Sequence, residues 1–233
     1  MVQQLRRKGA SQHWPGMVLL LTLASMAVNG FALWVLHNSW LAMILSSFLF
    51  YGGAFWVCSS YKLFPRLQLN QAFKTIGFGV ASGILVGLLI ALVGSIFFSK
   101  ALSPVVLNRC SQRVHQSGSL RFGVLPFLLW VSLVLPVGEE LYWRGGLQGI
   151  LRRMGRLGPT LFLSAGCFTL YHLVTISFFL PPLAMIPFVI SVFLGGLIFG
   201  WQTETFGNIW VAAICHGPGV WGGTFYLIKR FLI

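Results

Sequence analysis

Apolar runs of about 20 residues dominate this sequence and leave few folds open to it. The first extends from Met17 to Leu36, about the length that a helix needs to cross the hydrocarbon core of a membrane. Seven such runs are present, at about residues 17–36, 40–59, 75–98, 122–150, 159–180, 183–201 and 206–228. The chain is therefore predicted to be an all-α, polytopic transmembrane helical bundle of about seven spans.

The composition agrees with a membrane protein. Of the 233 residues, 57% are hydrophobic and 8% are charged, whereas a soluble domain carries about 25% charged residues. The net charge of +13 would also suit a nucleic-acid-binding protein. However, the Lys and Arg residues lie in short segments beside apolar spans, as the positive-inside rule predicts, so no nucleic-acid partner is expected. The four cysteines show no CxxC spacing and are expected to be reduced.

The basic residues favour a cytoplasmic N-terminus. With that orientation nine Lys and Arg residues fall in inner segments, three each in residues 1–14, 61–74 and 151–158. Six fall in outer segments, four of them in residues 99–122, which are predicted to form a loop with one surface helix, and two at the C-terminus. The bias is modest, and the basic segment 99–122 opposes it.

Small residues recur every four positions in the third predicted span. They are Gly79, Gly83, Gly87 and Ala91. Such a stripe is flat enough for another helix to pack closely against it, so its predicted role is architectural.

Two adjacent glutamates, Glu139 and Glu140, lie within the fourth predicted span. The chain has three acidic residues in total, and the third is Glu204. A carboxylate at the centre of a membrane costs about 2.5 kcal/mol or more to insert, and adjacent like charges repel. Arg144 follows Glu140 by four residues, a spacing that predicts an ion pair on one helix face. Glu139, about 100° round the helix, has no such partner, which indicates a functional role.

Two histidines in later spans are expected at a similar depth. Counting 1.5 Å per residue from the predicted cytoplasmic ends of their helices, Glu139 lies roughly 20 Å deep, His172 roughly 21 Å and His216 roughly 14 Å. Pro136 and Pro218 add irregular backbone near these positions, and such backbone is tolerated in a membrane where it is buried in protein or lines a wet cavity. The three side chains are therefore predicted to converge on one site.

The residue types at this site permit two kinds of chemistry. A carboxylate beside a neutral imidazole activates water, and a second imidazole can donate to an oxyanion. Alternatively, two histidines and one glutamate hold a zinc ion with an open position for water. A Ser/His/Asp triad is excluded because the chain contains no aspartate, and the sequence has no GxSxG, HExxH or phosphate-loop motif.

Three motifs follow one another in these spans. They are EExxxR at residues 139–144, FxxxH at residues 168–172 and His216 shortly after Gly207-Asn208-Ile209-Trp210. In this order they resemble the CAAX-protease and bacteriocin-processing family of intramembrane proteases, also called the Abi family. The resemblance covers about residues 120–225 and implies an intramembrane endopeptidase of the glutamate or metalloendopeptidase type.

The resemblance also implies a role for each motif residue. Glu139 and His172 would activate a water molecule, and His216 would stabilise the oxyanion. The side chains implied to support the site are Glu140, Arg144 and Phe168. Members of the family have been described as metalloproteases. A mechanism without a cofactor is preferred here because the residues fit it without a fourth ligand, and the alternative is zinc held by Glu139, His172 and His216.

Val220 departs from the family pattern. It stands four residues after His216, where the family has Asn or Asp, and that side chain is implied to help bind the oxyanion. Losing one oxyanion donor costs on the order of 3–4 kcal/mol in a protease. A weaker enzyme, an enzyme with another donor and a non-catalytic immunity or scaffolding protein all stay open. A transporter ranks last because no inverted repeat is visible.

The expected organisation follows from these observations. Residues 1–121 would form N-terminal helices and a basic loop, residues 122–228 the catalytic core and residues 229–233 a short tail. The chain would be a multi-pass protein of the cell membrane, of the bacterial inner-membrane type. Its expected partners are membrane lipid and a peptide or lipidated protein substrate.

Overall fold

In a computed structural model, each of the seven predicted spans overlaps a helix. The structure describes residues 14–61, 72–101 and 103–232, and within these ranges the chain forms eight helices and no strand. The all-α bundle is therefore confirmed. The basic residues predicted for the first two inner segments, except Lys74, lie outside the described residues; they are Arg6, Arg7, Lys8, Lys62 and Arg66.

The eight helices follow the chain with short connections. Helix α1 is Trp14–Gly30, extended by a π-helical segment Phe31–Val35, and it is followed by α2 (Ser39–Tyr61), α3 (Ala72–Ala101) and α4 (Pro104–Gln116). Helix α5 comprises the continuous helical segments from Val124–Leu129 to Gly149–Met154, and it is followed by α6 (Leu157–Phe179), α7 (Pro182–Phe206) and α8 (Ile209–Leu232).

Five helices are long and apolar enough to cross a membrane. They contain the segments Ser39–Ser59, Ala72–Ile96, Val124–Arg153, Leu157–Phe179 and Pro182–Phe206. The length and composition of these helices thus indicate a multi-pass membrane protein. Helix α1 contains a shorter apolar segment, Leu19–Val35. The statement that α1 and α8 also span the membrane stays a prediction.

The segment predicted as a loop with one surface helix contains α4. This helix is amphipathic, with Cys110 buried, and it begins after Ser103, whose hydroxyl accepts a hydrogen bond from the Val106 N–H (3.4 Å). Pro104 occupies the first turn, where its missing N–H costs nothing. At the other end, Arg113 donates hydrogen bonds to the last carbonyl groups of α6 and so fixes α4 against it.

One end of the bundle collects three connections. The backbone N–H of Ser39, the first residue of α2, donates to the carbonyl oxygen of Ser117 after α4 (2.9 Å). The end of α6 lies beside them through its contact with Arg113. Arg156, which precedes α6, therefore lies at the opposite end, because a helix of 23 residues is about 35 Å long.

The small-residue stripe of α3 packs against α8, as predicted. A Cβ atom added at Gly79 would lie 2.8 Å from the Ile214 side chain, and one added at Gly87 would lie 2.7 Å from the carbonyl oxygen of Pro218. At Gly83 an added Cβ would overlap the carbonyl oxygen of Cys215. The backbones of the two helices are thus in direct contact, and α3 holds the helix that carries His216.

A cluster of buried aromatic side chains joins α5 to α2 and α6. Its rings include Phe50, Tyr142, Trp143, Phe168 and Tyr171. Phe50 contacts Tyr142 and Tyr171 at centroid distances of 5.1 and 5.2 Å. The cluster lies next to the glutamate pair in the sequence of α5 and beside His172 on α6, so it fixes the two helices that supply these residues. All four cysteines are buried and free.

Candidate active site

Helix α5 changes its winding on both sides of the glutamate pair. The segments Trp130–Val134 and Leu141–Gln148 are π-helical, and the α-helical stretch Leu135–Glu140 between them carries Pro136 near its start. Proline lacks a backbone N–H, and π-helical turns inside longer helices are frequent at functional sites. The backbone is therefore irregular where the sequence predicted it, and helical geometry is kept throughout.

Glu139 lies between the two predicted histidines. Its Oε1 is 3.9 Å from His172 Nε2 and its Oε2 is 3.6 Å from His216 Nε2. Glu139 and His216 are only 2% and 4% exposed, whereas the His172 side chain is 21% exposed. The predicted convergence of one acid and two imidazoles is thus present, and its open side is at His172.

The orientation of His172 is fixed by its own helix. Nδ1 lies 3.0 Å from the carbonyl oxygen of Phe168, one turn earlier. Because a carbonyl oxygen only accepts, Nδ1 carries the proton in the neutral ring, and Nε2 presents a lone pair toward Glu139. The Phe168 ring also lies against His172, with ring centroids 4.3 Å apart. The FxxxH spacing therefore sets the tautomer and the position of the imidazole.

The other histidine is held by the second glutamate. His216 Nδ1 donates a hydrogen bond to Glu140 Oε1 (2.9 Å), and its ring stacks on Phe199 with a centroid distance of 4.6 Å. Phe168 meets the same ring edge-on at 5.8 Å. His216 thus has one nitrogen bound to Glu140 and the other directed toward Glu139.

Glu140 and Arg144 form the predicted ion pair. Glu140 Oε2 lies 3.2 Å from Arg144 Nε, and neither side chain is exposed. Arg144 Nη2 donates to the carbonyl oxygen of Gly196 on α7 (3.0 Å), and its guanidinium group lies 4.6 Å from the centre of the Phe168 ring. A buried charge requires such pairing, because an unpaired one is costly to desolvate. The pair therefore connects α5 to both α6 and α7.

These residues resemble those of a known protein family. Residues 121–218 match the model described as type II CAAX prenyl endopeptidase Rce1-like. This part of the chain is similar to that family, and residues 121–218 are called the Rce1-like domain below. The match confirms the resemblance to CAAX proteases that the three motifs indicated. No match was found to a curated protein or to a solved structure.

Polar contacts within the Rce1-like domain continue from Arg144 along α5 and α7. Gln148, one turn further, is buried and donates from Nε2 to the carbonyl oxygen of Gly200 (3.1 Å) and to Glu204 Oε1 (3.0 Å). Arg152, a further turn on, places Nε 3.1 Å from Glu204 Oε2. Neither Gln148 nor Glu204 is among the predicted site residues, although a four-residue spacing places 140, 144, 148 and 152 on one face of α5.

Val220 lies on α8 one turn after His216, at a half-buried position. Its side chain has no hydrogen-bonding atom, so it offers no donor at the place where the family pattern has an amide or acid. Position 220 lies two residues beyond the matched range, and Val220 offers His216 no polar partner there.

The zinc alternative depends on how the donor atoms are arranged. Within the described ranges, no group of three His, Cys, Asp or Glu side chains has the arrangement needed to hold a metal ion. The two imidazoles face different oxygens of Glu139. Zinc held by Glu139, His172 and His216 stays an alternative prediction.

Proposed function

We propose that this chain is an intramembrane endopeptidase of the CAAX-protease type. It hydrolyses a peptide bond in a membrane-associated or lipidated peptide or protein. The observation that supports this best is the position of Glu139, a buried carboxylate with His172 at one oxygen and His216 at the other. The match to a prenyl endopeptidase family supports the same reaction class.

Glu139 and His172 activate water in the proposed mechanism. Oε1 of Glu139 and Nε2 of His172 are 3.9 Å apart, so one water molecule reaches both. Both atoms are proton acceptors when His172 has the tautomer fixed by Phe168. They remove a proton as the water oxygen attacks the scissile carbonyl carbon, and the proton passes to the leaving amine when the C–N bond breaks.

His216 stabilises the oxyanion in this mechanism. Because Nδ1 already donates to Glu140, Nε2 donates only if the ring carries both protons. This donor would lie in a buried group that also contains Glu139, Glu140 and Arg144. A fixed donor in such a water-poor environment acts more strongly than it would in water.

Substitution of the proposed base tests the function. The protein is assayed in detergent or after reconstitution into liposomes. The test substrates are a set of prenylated CAAX peptides and a set of unprenylated membrane-tethered peptides. Glu139→Gln and His172→Gln are expected to lower turnover by about 10²-fold or more, as loss of a general base does. His115→Gln, at an exposed position on α4, is the matched control and should retain parental turnover. Parental turnover in folded Glu139→Gln would refute the proposed mechanism.

Removal of divalent metal ions distinguishes the metal-free mechanism from the zinc alternative. Turnover is expected to be unchanged after exhaustive treatment with a divalent-metal chelator, because Glu139 and the histidines act directly. Loss of turnover that added zinc restores would replace the proposed mechanism with the zinc alternative.

A non-catalytic membrane protein of the same fold is the second candidate, and Val220 is the observation that favours it. In that case Glu139→Gln would leave the biological effect of the protein intact, and no peptide would be cleaved. Loss of the biological effect in a Glu139→Gln variant with unchanged folding would eliminate this candidate.

A further inference from the structure

Helix α4 packs against the place where α6 and α7 meet. Its Cys110 is buried in one apolar cluster with Leu180 and Ala184, and Val106 and Leu107 of α4 pack against the same cluster. Helices α6 and α7 are long and apolar enough to cross a membrane, so the turn between them lies where the two spans leave the hydrocarbon core. An amphipathic helix at that level lies among the lipid headgroups.

A cavity of about 240 Å³ lies between α4 and the end of α6. The wall formed by α4 includes Arg109, Gln112 and Arg113, whose spacing of three and four residues places them on one face of the helix. The wall at the end of α6 includes the apolar residues Phe179 and Pro181. The cavity therefore offers N–H donors on one side and apolar contact on the other, a combination that suits the boundary between headgroup and hydrocarbon.

Contacts with neutral groups hold Arg113 in this wall. Its Nη1 atom donates to the carbonyl oxygens of Ser177 and Phe178, and its guanidinium group lies 5.6 Å from the centre of the Trp34 ring. These contacts fix the side chain and leave its positive charge unbalanced. A guanidinium group donates from all of its nitrogens, so Nε and Nη2 can donate to an anion.

No acidic side chain of the protein balances the two arginines of the cavity. The chain has three acidic residues. Glu139 and Glu140 face the histidines of the candidate active site, and Glu204 pairs with Arg152 at the opposite end of the bundle. The basic residues of α4 also oppose the orientation that the rest of the charge pattern favours. A ligand with negative charge accounts for both observations.

We propose that this cavity binds the phosphate group of an anionic phospholipid. Arg109 and Arg113 pair with the phosphate oxygens, since guanidinium groups suit phosphate in both geometry and charge. The Gln112 amide is a further donor, and Phe179 and Pro181 contact the glycerol and the upper part of an acyl chain. The apolar wall and its level in the membrane favour a lipid over a soluble phosphate ion, which would gain nothing from that wall.

The proposed lipid site is separate from the candidate active site. Phe179 follows His172 by seven residues on α6, which corresponds to about 10 Å along the helix axis. The proposal therefore goes beyond the proposed protease function, and it holds or fails whether or not Glu139 acts as a base.

Lipid binding by the purified full-length protein in detergent tests the proposal. Native mass spectrometry gives the Kd for phosphatidylglycerol and for phosphatidylcholine, and the first lipid should bind about tenfold more tightly. Arg109→Gln is expected to weaken phosphatidylglycerol binding about tenfold, as loss of one charged hydrogen bond does. Arg121→Gln is the matched control and should keep this Kd within about twofold, because Arg121 is an exposed arginine that contacts Phe122 (5.8 Å) and does not line the cavity. Equal Kd values for the two lipids, or equal losses in the two variants, would overturn the proposal.

Gln112→Glu tests the cavity without removal of an arginine. The new carboxylate would lie in the same wall as Arg109 and Arg113, where it would repel phosphate and balance their charge. Binding of phosphatidylglycerol is expected to weaken about tenfold. Gln112 is exposed, so thermal unfolding should show a stability close to that of the parent. Parental lipid affinity in the folded variant would contradict the proposal.

Competition distinguishes a lipid from other anions. Inorganic phosphate and an acidic peptide, each added at the concentration of the lipid, should leave phosphatidylglycerol bound. Displacement by inorganic phosphate would identify a site for free phosphate, and displacement by the peptide would identify a site for an acidic protein segment. Either result would overturn the assignment to a phospholipid.

Discussion

Glu140 divides its two carboxylate oxygens between two partners. Oε1 accepts from His216 and Oε2 pairs with Arg144. The side chain therefore stabilises the fold through Arg144 and orients the proposed oxyanion donor through His216. The two glutamates of the motif have different partners, since the Glu139 oxygens face His172 Nε2 and His216 Nε2.

Removing Arg144 should be far more costly than removing another arginine of the same helix. Arg144→Ala leaves Glu140 buried without its cation, which typically costs about 3–5 kcal/mol. Arg152→Ala is the matched control, because the Arg152–Glu204 pair is 44% and 22% exposed and such pairs contribute about 0–1 kcal/mol. The stability of both variants is measured by thermal unfolding and by the yield of folded protein in detergent. Equal stability of Arg144→Ala and the parent, with activity retained, would show that the pair is not structural.

An amide at position 220 is expected to raise turnover. Position 220 lies one helical turn beyond His216 on nearly the same face, so Val220→Asn would place a donor near the proposed oxyanion. The gain should appear in kcat with little change in KM, as for a contact made only in the transition state. Single-turnover assays on one substrate check this. If Val220→Asn shows no activity and Glu139→Gln keeps the biological effect, the chain is a binding module.

The residues of the site were predictable to the extent that their chemistry is unusual in a membrane. Glu139, His172 and His216 stand out because ionisable groups in apolar spans are costly, and helix length gave their depth. The bond between Glu140 and His216 was not predictable, because the rotation of α8 about its axis is set by packing against α3.

At the scale of elements, α3 determines where α8 lies. Its glycines bring the two backbones into contact at three successive turns, and α8 supplies His216. In membranes helix association depends on such close packing, because lipid gives no hydrophobic driving force between helices. The position of His216 is therefore controlled by a helix without catalytic motifs.

Gly83→Ala should consequently impair the site. An added Cβ at Gly83 meets the backbone of Cys215, which cannot rotate away, so α8 and His216 would have to shift. Gly77→Ala on the same helix is the control, because nothing lies within 4 Å of a Cβ there. We expect Gly83→Ala to lower turnover at least tenfold, by analogy with small misplacements of catalytic groups, and Gly77→Ala to leave it unchanged. Similar turnover in both variants would contradict this role of the stripe.

Helix positions were largely predictable because each apolar run is close to the length of a membrane span. The surface helix α4 was predictable from its polar, basic segment. The π-helical segments of α5 were not, since they depend on how α2, α6 and α8 pack around the glutamate pair. The sequence showed only the proline between them.

For the whole molecule, basic residues lie at both ends of the bundle, and each set favours a cytoplasmic position for its own end. Arg109 and Arg113 on α4 lie at one end, and three arginines at the end of α5 and before α6 lie at the other: Arg152, Arg153 and Arg156. The two sets of basic residues therefore favour opposite orientations of the protein in the membrane.

We expect the end at Arg156 to be cytoplasmic. Arg156→Cys and Gln116→Cys place single exposed thiols at opposite ends, and the four native cysteines are buried, so background labelling should be low. An impermeant thiol reagent added to intact cells should label position 116 and should label position 156 only after lysis. The reverse pattern would invert the predicted topology.

The polar contacts between α5 and α7 repeat every four residues on both helices, and this repetition creates an ambiguity of register. The carbonyl groups of Gly196 and Gly200 are equivalent acceptors, so sliding α7 by one turn, about 6 Å, would still offer partners to Arg144 and Gln148. Glu204 is different, because its carboxylate meets Gln148 and Arg152 in one alignment only. Glu204, the single acidic residue outside the glutamate pair, therefore favours the alignment in which the turn of α7 that contains Gly196 faces Arg144.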